Sequence, residues 1–371
     1  MQVTRIRTIG AVAAVAAVPL ALAYRFAVVY RDHAGHPKSR QLPTTPADLG
    51  LPFEEITVAS DGLALAGWFI PARDGARGPG VVVVHGWEST RSRTLPNASL
   101  LHALGLHVLT IDVRGHGASP TDGMPISGRE FGLDAAAAAA ALAGRPEVTS
   151  VGILGHSMGG VGALLAAATM PSIAAVVSVS TPADPRLLVR ETFRMADLPI
   201  PAPVAGPLAW LTARVYARPR GHAYEDVSAT VAASRYRGPI LLVQGDQDGL
   251  LPLGHLRRLE DAALAARRPV GDSAAGDADL APVEVMVVPG GRHSFLYEDP
   301  GYRRAVATFL ATHLGGPEAP SEAGDIAAAL PLERIPEPED EFGAVASRPR
   351  GLRLAGELIG LRPPRDLKDE G

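Results

Sequence analysis

Cysteine is absent from the 371 residues. That excludes disulfides, cysteine-ligated zinc and a thiol nucleophile, and it leaves the redox compartment open. An excess of one charge is also missing: the formal net charge is −4. The 35 basic residues are scattered, with no stripe of the kind that tracks phosphates, so nucleic acid is not an expected partner. There is no internal repeat and no long low-complexity tract; the seven alanines from Ala135 to Ala141 belong to one helical segment. What remains is a chain 47% hydrophobic and 20% charged, enough for one large core or two modest domains.

The one long apolar run lies at the N-terminus. Arg5 and Arg7 precede an uncharged stretch from Ile9 to Tyr24, and after Arg25 the apolar character resumes from Phe26 to Tyr30. Counted through Arg25 it is 22 residues, about 33 Å as a helix, which matches a bilayer core. Arg25 is near enough to the end to snorkel toward headgroups. Three readings compete: a transmembrane anchor over residues 1–30, a cleaved signal segment with Ala21-Leu22-Ala23 as a small-x-small site, and a hydrophobic helix packed on the domain. The flanking charges, Arg5 and Arg7 before and Arg31, Lys38 and Arg40 after, set no orientation.

Residues 31–52, rich in Pro, Thr and charge, read as a linker. A domain over 53–314 follows, in which strands alternate with helices. Glu55–Ala59 and Leu63–Ile70 form an expected hairpin around Asp61-Gly62. Val81–Val84, His107–Ile111, Ser150–Leu154, Ala174–Val179, Ile240–Val243 and Val283–Val288 are continuous apolar runs suited to strands buried on both faces. Ser127 with Glu130 makes a capping box for a helix ending near Gly144; Met158–Ala168, Leu253–Ala266 and Tyr302–Leu314 are further helices. The pattern predicts an α/β fold with a mostly parallel sheet covered on both faces. Residues 182–237 break the alternation and are expected to form a helical cap over a pocket, with Phe193, Leu208, Trp210, Leu211 and Tyr216 as its apolar side chains. Arg267–Pro282 reads as a surface loop. Residues 315–371 read as a mostly disordered tail, with one short helix at Leu352–Leu361.

The chemistry concentrates at Gly155-His156-Ser157-Met158-Gly159, directly after a predicted strand and before a predicted helix. In that context G-x-S-x-G is a nucleophile elbow, where the glycines are needed because side chains would strike neighbouring backbone. A serine hydroxyl needs a base. His293, in Gly290-Gly291-Arg292-His293 after the last strand, is the candidate among 11 histidines. The base needs an orienting carboxylate, for which Asp246 and Asp248, both beyond the strand Ile240–Val243, compete; the other is expected to cap a turn or the next helix. The loop His85-Gly86-Trp87 follows Val81–Val84, and the amides of Trp87 and Met158 are expected to converge on an oxyanion.

Taken together, Val81–Trp87, the Asp112-Val113-Arg114-Gly115-His116-Gly117-Ala118-Ser119 stretch, Gly155–Gly159, Gly245–Asp248 with Pro252, and Gly291–His293 resemble the motifs of the α/β-hydrolase superfamily, in its order and over residues 53–314. The resemblance implies an eight-stranded α/β-hydrolase fold with a cap. It also selects Asp248, which lies in the family's pattern of glycine, two residues, then aspartate, over Asp246. It implies that Asp112, Arg114 and His116 form a structural turn. The N-terminal run, linker and hairpin together are similar to membrane-anchored hydrolases of the Bem46 and S33 serine-aminopeptidase-like groups.

The expected activity is hydrolysis of a carboxylic ester by Ser157, His293 and Asp248 through an acyl-enzyme, with no metal or organic cofactor. Amide or thioester cleavage and acyl transfer use the same groups. A non-catalytic protein on this fold is the remaining reading, and it gives no reason for all four elements of the site to occur together. The expected partners are a small ester or acyl substrate and, through the N-terminal run, a membrane. Oligomeric state is left open.

Overall fold

The computed structural model describes residues 2–38, 44–265, 267, 281–332 and 335, with side chains from residue 18 onward. The described residues fall into two compact units. One is formed by the described residues within 36–185 and 222–337; the other by those within 1–35 and 186–221.

The larger unit is built on eight strands: β1 Glu54–Ser60, β2 Leu63–Ile70, β3 Gly78–Val84, β4 His107–Ile111, β5 Val148–His156, β6 Ile173–Val179, β7 Ile240–Gly245 and β8 Val283–Val288. They form one sheet in the order β1-β2-β4-β3-β5-β6-β7-β8. The β1–β2 hairpin and the β2–β4 pair are antiparallel, and the other pairs are parallel. The inner strands are buried along their whole length at β4 and β7, and from Pro79 onward at β3. Runs of Val, Ile and Leu fit such double-faced burial, because each successive side chain points to the opposite face.

Helices cover both faces and account for that burial. In chain order they are α2 Leu95–Ala103, α3 Gly128–Ala143, α4 Met158–Thr169, α8 Ala229–Arg235, α9 Gly254–Ala265, α10 Pro300–Leu314 and α11 Pro320–Ala329, with the single turn α7 Tyr224–Val227 before α8. One core joins Phe131, Ala135, Leu142, Val161 and Leu165 to Val82, Ile153 and Leu242. The other joins Leu95, Leu101, Tyr302, Val306 and Leu310 to Val81, Val83, Val177 and Leu241. α3 starts at Ser127, whose backbone N–H donates to Glu130 at 2.7 Å, completing the capping box read from the sequence.

The smaller unit consists of α1 Gln2–Ala34, α5 Pro185–Met195 (all but its first residue) and α6 Ala202–Ala217. Phe26 and Tyr30 of α1 pack edge-on against Phe193 of α5. The Tyr30 hydroxyl bonds Thr192 at 2.8 Å, and Tyr216 of α6 donates to the Ala34 carbonyl at 2.9 Å.

Several expectations are corrected. The predicted linker does not begin at residue 31, since α1 runs on to Ala34 and a single 3-10 turn forms at Pro46–Leu49. The 182–237 insertion is largely helical, and three of the apolar side chains named for it, Phe193, Leu208 and Tyr216, pack within the α1–α5–α6 unit. Within the expected tail, residues 320–329 form α11, which buries Ala323 and Ala327 against α10, while residues 333–334 and 336–371 lie outside the described residues. The two alanines are one helical turn apart, and such small residues let two helices approach closely, a pattern that a reading for Pro, Glu and Arg passes over. Most of the Arg267–Pro282 loop and the Leu352–Leu361 segment lie outside the described residues. Among the described residues no helix is long and apolar enough to cross a membrane.

Candidate active site

Strand register brings the site together. Val84, the last residue of β3, pairs with Gly155 of β5, so His85–Trp87 and Ser157 leave the sheet side by side. Gly245, the last residue of β7, pairs with Val288 at the end of β8, so Asp248 and His293 also emerge as neighbours. Between them, the Ser157 amide donates to Val179 at the end of β6 at 2.8 Å, and the Ser180 amide to Val243 of β7 at 2.8 Å. The site therefore sits at the carboxyl edge of the sheet, beside β3 and β5 where the strand order reverses.

Ser157 stands on a strained turn with φ 54° and ψ −118°, a conformation costing roughly 1–3 kcal/mol for a residue with a Cβ. Close packing holds it there. A Cβ on Gly155 would overlap the backbone of Gly159, one on Gly159 would overlap the carbonyls of Val84 and His85, and one on Gly160 would overlap Thr181 Oγ1. Positive φ recurs at Glu88 (52°), Ser180 (47°) and Phe295 (67°), all on loops leaving the same edge of the sheet.

The three residues singled out in the sequence are brought together. The Ser157 hydroxyl lies 3.1 Å from His293 Nε2, placed to donate to it. His293 Nδ1 lies 2.9 Å from Asp248 Oδ2, and the carboxylate fixes the ring with its proton on Nδ1. The other oxygen of Asp248 accepts the amides of Leu250 at 2.9 Å and Leu251 at 2.8 Å, so both oxygens are held in place. His293 and Asp248 side chains are 9% and 1% exposed, which keeps the pair largely out of water. Asp246 serves elsewhere. It accepts the Gly290 amide at 2.7 Å and ties the loop after β7 to the loop after β8.

Two further histidines shape the site, and sequence reasoning assigned neither a role. His85 Nδ1 donates to the Gly86 carbonyl at 2.7 Å, while the Val113 amide donates to its Nε2 at 3.0 Å. In a trans peptide the N–H points opposite the carbonyl, so this bond turns the Trp87 amide away from the His85 ring. Burial holds His85 at about 4, neutral as this arrangement requires. The 85–87 loop also abuts Ser157, since a Cβ on Gly86 would lie 3.2 Å from Ser157 Cβ. Met158 opens α4, so its amide is among the first-turn donors that have no acceptor within the helix. His156, beside Ser157, donates from Nε2 to the His293 carbonyl at 2.7 Å, with ring centroids 5.0 Å apart. Burial drops it to about 3. The variable positions of G-x-S-x-G carry no spacing rule, so nothing in the sequence marked His156.

The Asp112–Ser119 stretch is a braced turn. Asp112 accepts the Arg91 amide at 2.7 Å and the Ala118 amide at 3.0 Å. Arg114, fully buried, is held by Asp134 at 2.6 Å. Burial lowers His116 to about 3. Among the described residues, no group of three or more His, Asp and Glu side chains converges to hold a metal.

A sheet of this order, with a serine on the turn after β5 and a carboxylate–imidazole pair after β7 and β8, gives the chain the α/β-hydrolase fold and the side-chain arrangement of a serine hydrolase. Residues 78–232 match the family model described as serine aminopeptidase, S33. The chain is 28% identical over 300 residues to uncharacterized protein Rv2307c of Mycobacterium tuberculosis, covering 80% of this chain and 98% of that one. The fold is similar to that of the Pyrococcus furiosus esterase Pf2001, with TM-score 0.59 and 20% identity over 76% of this chain and 98% of that one. It is also similar to a puromycin-hydrolyzing peptidase of Mycobacterium tuberculosis, with TM-score 0.53 and 20% identity over 72% of this chain and 40% of the peptidase.

Proposed function

We propose that this hydrolase cleaves carboxylic esters through an acyl-enzyme formed on Ser157. The reading is carried by the continuous hydrogen-bond chain from Ser157 through His293 to Asp248. His293 takes the hydroxyl proton as Ser157 attacks the acyl carbonyl, and Asp248 stabilises the imidazolium that results. The Trp87 and Met158 amides receive the tetrahedral oxyanion; in such sites one donor contributes about 10²–10³ in rate. His293 then returns the proton to the departing alkoxide, and water, deprotonated by the same imidazole, releases the acid. No step requires a metal or organic cofactor. The esterase fold neighbour supports an ester substrate, while the aminopeptidase description of the matched family model supports a second reading, cleavage of an aminoacyl amide at the same serine.

A panel of p-nitrophenyl esters, acyl thioesters and aminoacyl p-nitroanilides separates the readings. Ester turnover exceeding anilide turnover is the expected result; anilide hydrolysis with inert esters would replace the first reading by the second.

The reading also includes attachment to a membrane through the apolar run of α1. Its support is the continuous helix Gln2–Ala34 together with the exposure of Val18, Leu20, Leu22 and Tyr24. Recovery of the full chain in a membrane pellet that resists carbonate washing is expected; recovery in the soluble fraction would remove this part.

A further inference from the structure

Among the described residues nine large apolar side chains are exposed, and six belong to the α1–α5–α6 unit: Val18, Leu20, Leu22, Tyr24, Val204 and Trp210. The same unit is cationic. Residues 18–35 and 186–221 hold eight arginines against three carboxylates, in a chain whose net charge is −4. The two properties meet on one face of α6. Pro203, Pro207, Trp210, Arg214 and Arg218 follow one another at intervals of four, three, four and four, which places them on a single stripe, and all five are exposed. The opposite face is spent on packing, with Ala209, Thr212 and Val215 buried. The stripe is thus apolar toward its N-terminal end and cationic toward its C-terminal end, and the Arg214 guanidinium lies 5.0 Å from the centroid of the Trp210 ring.

We propose that this face of α6 seats on an anionic phospholipid surface, with Trp210 and Val204 at the acyl boundary and Arg214 and Arg218 among the headgroups. The chemistry selects this occupant. A protein partner would have to match an exposed tryptophan, two prolines and two arginines on one stripe. An anionic bilayer presents both requirements at once: an apolar layer at the depth of an indole and phosphates directly above it. Arginine suits that place because its guanidinium pairs with phosphate in two-bonded geometry. α6 packs on the half of α1 that holds Phe26 and Tyr30, and the exposed apolar residues of α1 precede them in the same helix. The proposal rests on membrane attachment through α1 and is independent of the hydrolytic reading.

The test uses the full chain, reconstituted by detergent removal into phosphatidylcholine vesicles with or without phosphatidylglycerol, both carrying lipids brominated on the upper acyl chain. Trp68 is buried at 3% exposure and Trp87 is half-buried, so bilayer quenching reports chiefly on Trp210. Strong quenching in the phosphatidylglycerol vesicles, lost in Trp210→Phe, is expected. In Arg214→Gln/Arg218→Gln the seat should weaken about 25-fold, at about fivefold per cation, and quenching should fall to the level in phosphatidylcholine alone. Hydrolysis of a soluble ester should be unchanged in all variants. A chain that floats with the vesicles while Trp210 stays unquenched would overturn the proposal and leave attachment standing. Equal quenching in both lipids, or in the double variant, would overturn the charge-based seat. A chain that does not float at all would overturn the attachment and the proposal together.

Discussion

At the residue scale the turn carrying Ser157 was the most legible part of the sequence, because its constraints are steric and local. Each small residue in Gly155–Gly160 answers to one overlap: Gly159 to the carbonyls after β3, Gly155 to Gly159 itself, and Gly160 to Thr181. His156 was not legible, because it acts through the His293 backbone 137 positions away. It is a positioning residue, holding the loop that carries the imidazole. His156→Leu should lower kcat about 10- to 100-fold with little change in KM, as a small displacement of a catalytic group does. His156→Gln, whose amide reaches the same carbonyl, should recover most of it. The check is steady-state kinetics together with the rate of Ser157 acylation and the unfolding midpoint. Equal losses in both variants, tracking stability, would reduce His156 to a packing role. The choice between Asp246 and Asp248 needed the family pattern, since both follow the same strand. The structure separates them by partner: Asp248 faces His293 and Asp246 braces the Gly290 amide.

At the element scale, strands with four or more consecutive β-branched or aliphatic residues were placed to within a few residues, since double-faced burial leaves a continuous apolar run. The elements that escaped notice are those whose packing uses small residues or follows no run. α11 is the clearest case. Beside the packing of Ala323 and Ala327 it is held by Arg303 of α10, whose buried guanidinium donates to the carbonyls of Ala327 and Ala328 at the end of α11 and to Tyr297 and Glu298. Those last-turn carbonyls have no partner inside their own helix. Arg303→Ala should destabilise the fold by about 3 kcal/mol and expose residues 315–332 to limited proteolysis. Denaturant melts and mass mapping of the first cuts check this; resistance of that segment would show that α11 docks without the arginine.

At the scale of the whole molecule, three histidines are buried without charge around the site. Burial holds His85 at about 4 and His116 and His156 at about 3, against an ordinary value of 6.5. The unfolded chain protonates them near 6.5 while the native chain does not. Their contribution to stability is therefore complete above pH 6.5 and is lost as pH falls from there to about 4 for His85 and about 3 for His116 and His156. Between pH 7.5 and 5 each should cost about 2 kcal/mol, and His116→Phe should flatten the slope by one histidine's share. Urea melts across that range check it, and stability independent of pH would contradict it. The domain plan was legible only in outline for a related reason. The alternation of elements gives the sheet, but nothing local in residues 186–221 reveals that Phe193, Leu208 and Tyr216 find their partners in one unit with the first helix.

All of the proposed chemistry depends on the reactivity of one hydroxyl. The most direct test treats the folded, full-length protein with a fluorophosphonate and locates the adduct by mass spectrometry. A single adduct on Ser157 is expected, abolished in Ser157→Ala and slowed in His293→Ala, with Ser157→Ala losing at least about 10⁴ in kcat toward the preferred substrate. An adduct on another residue, or turnover undiminished in Ser157→Ala, would contradict that chemistry.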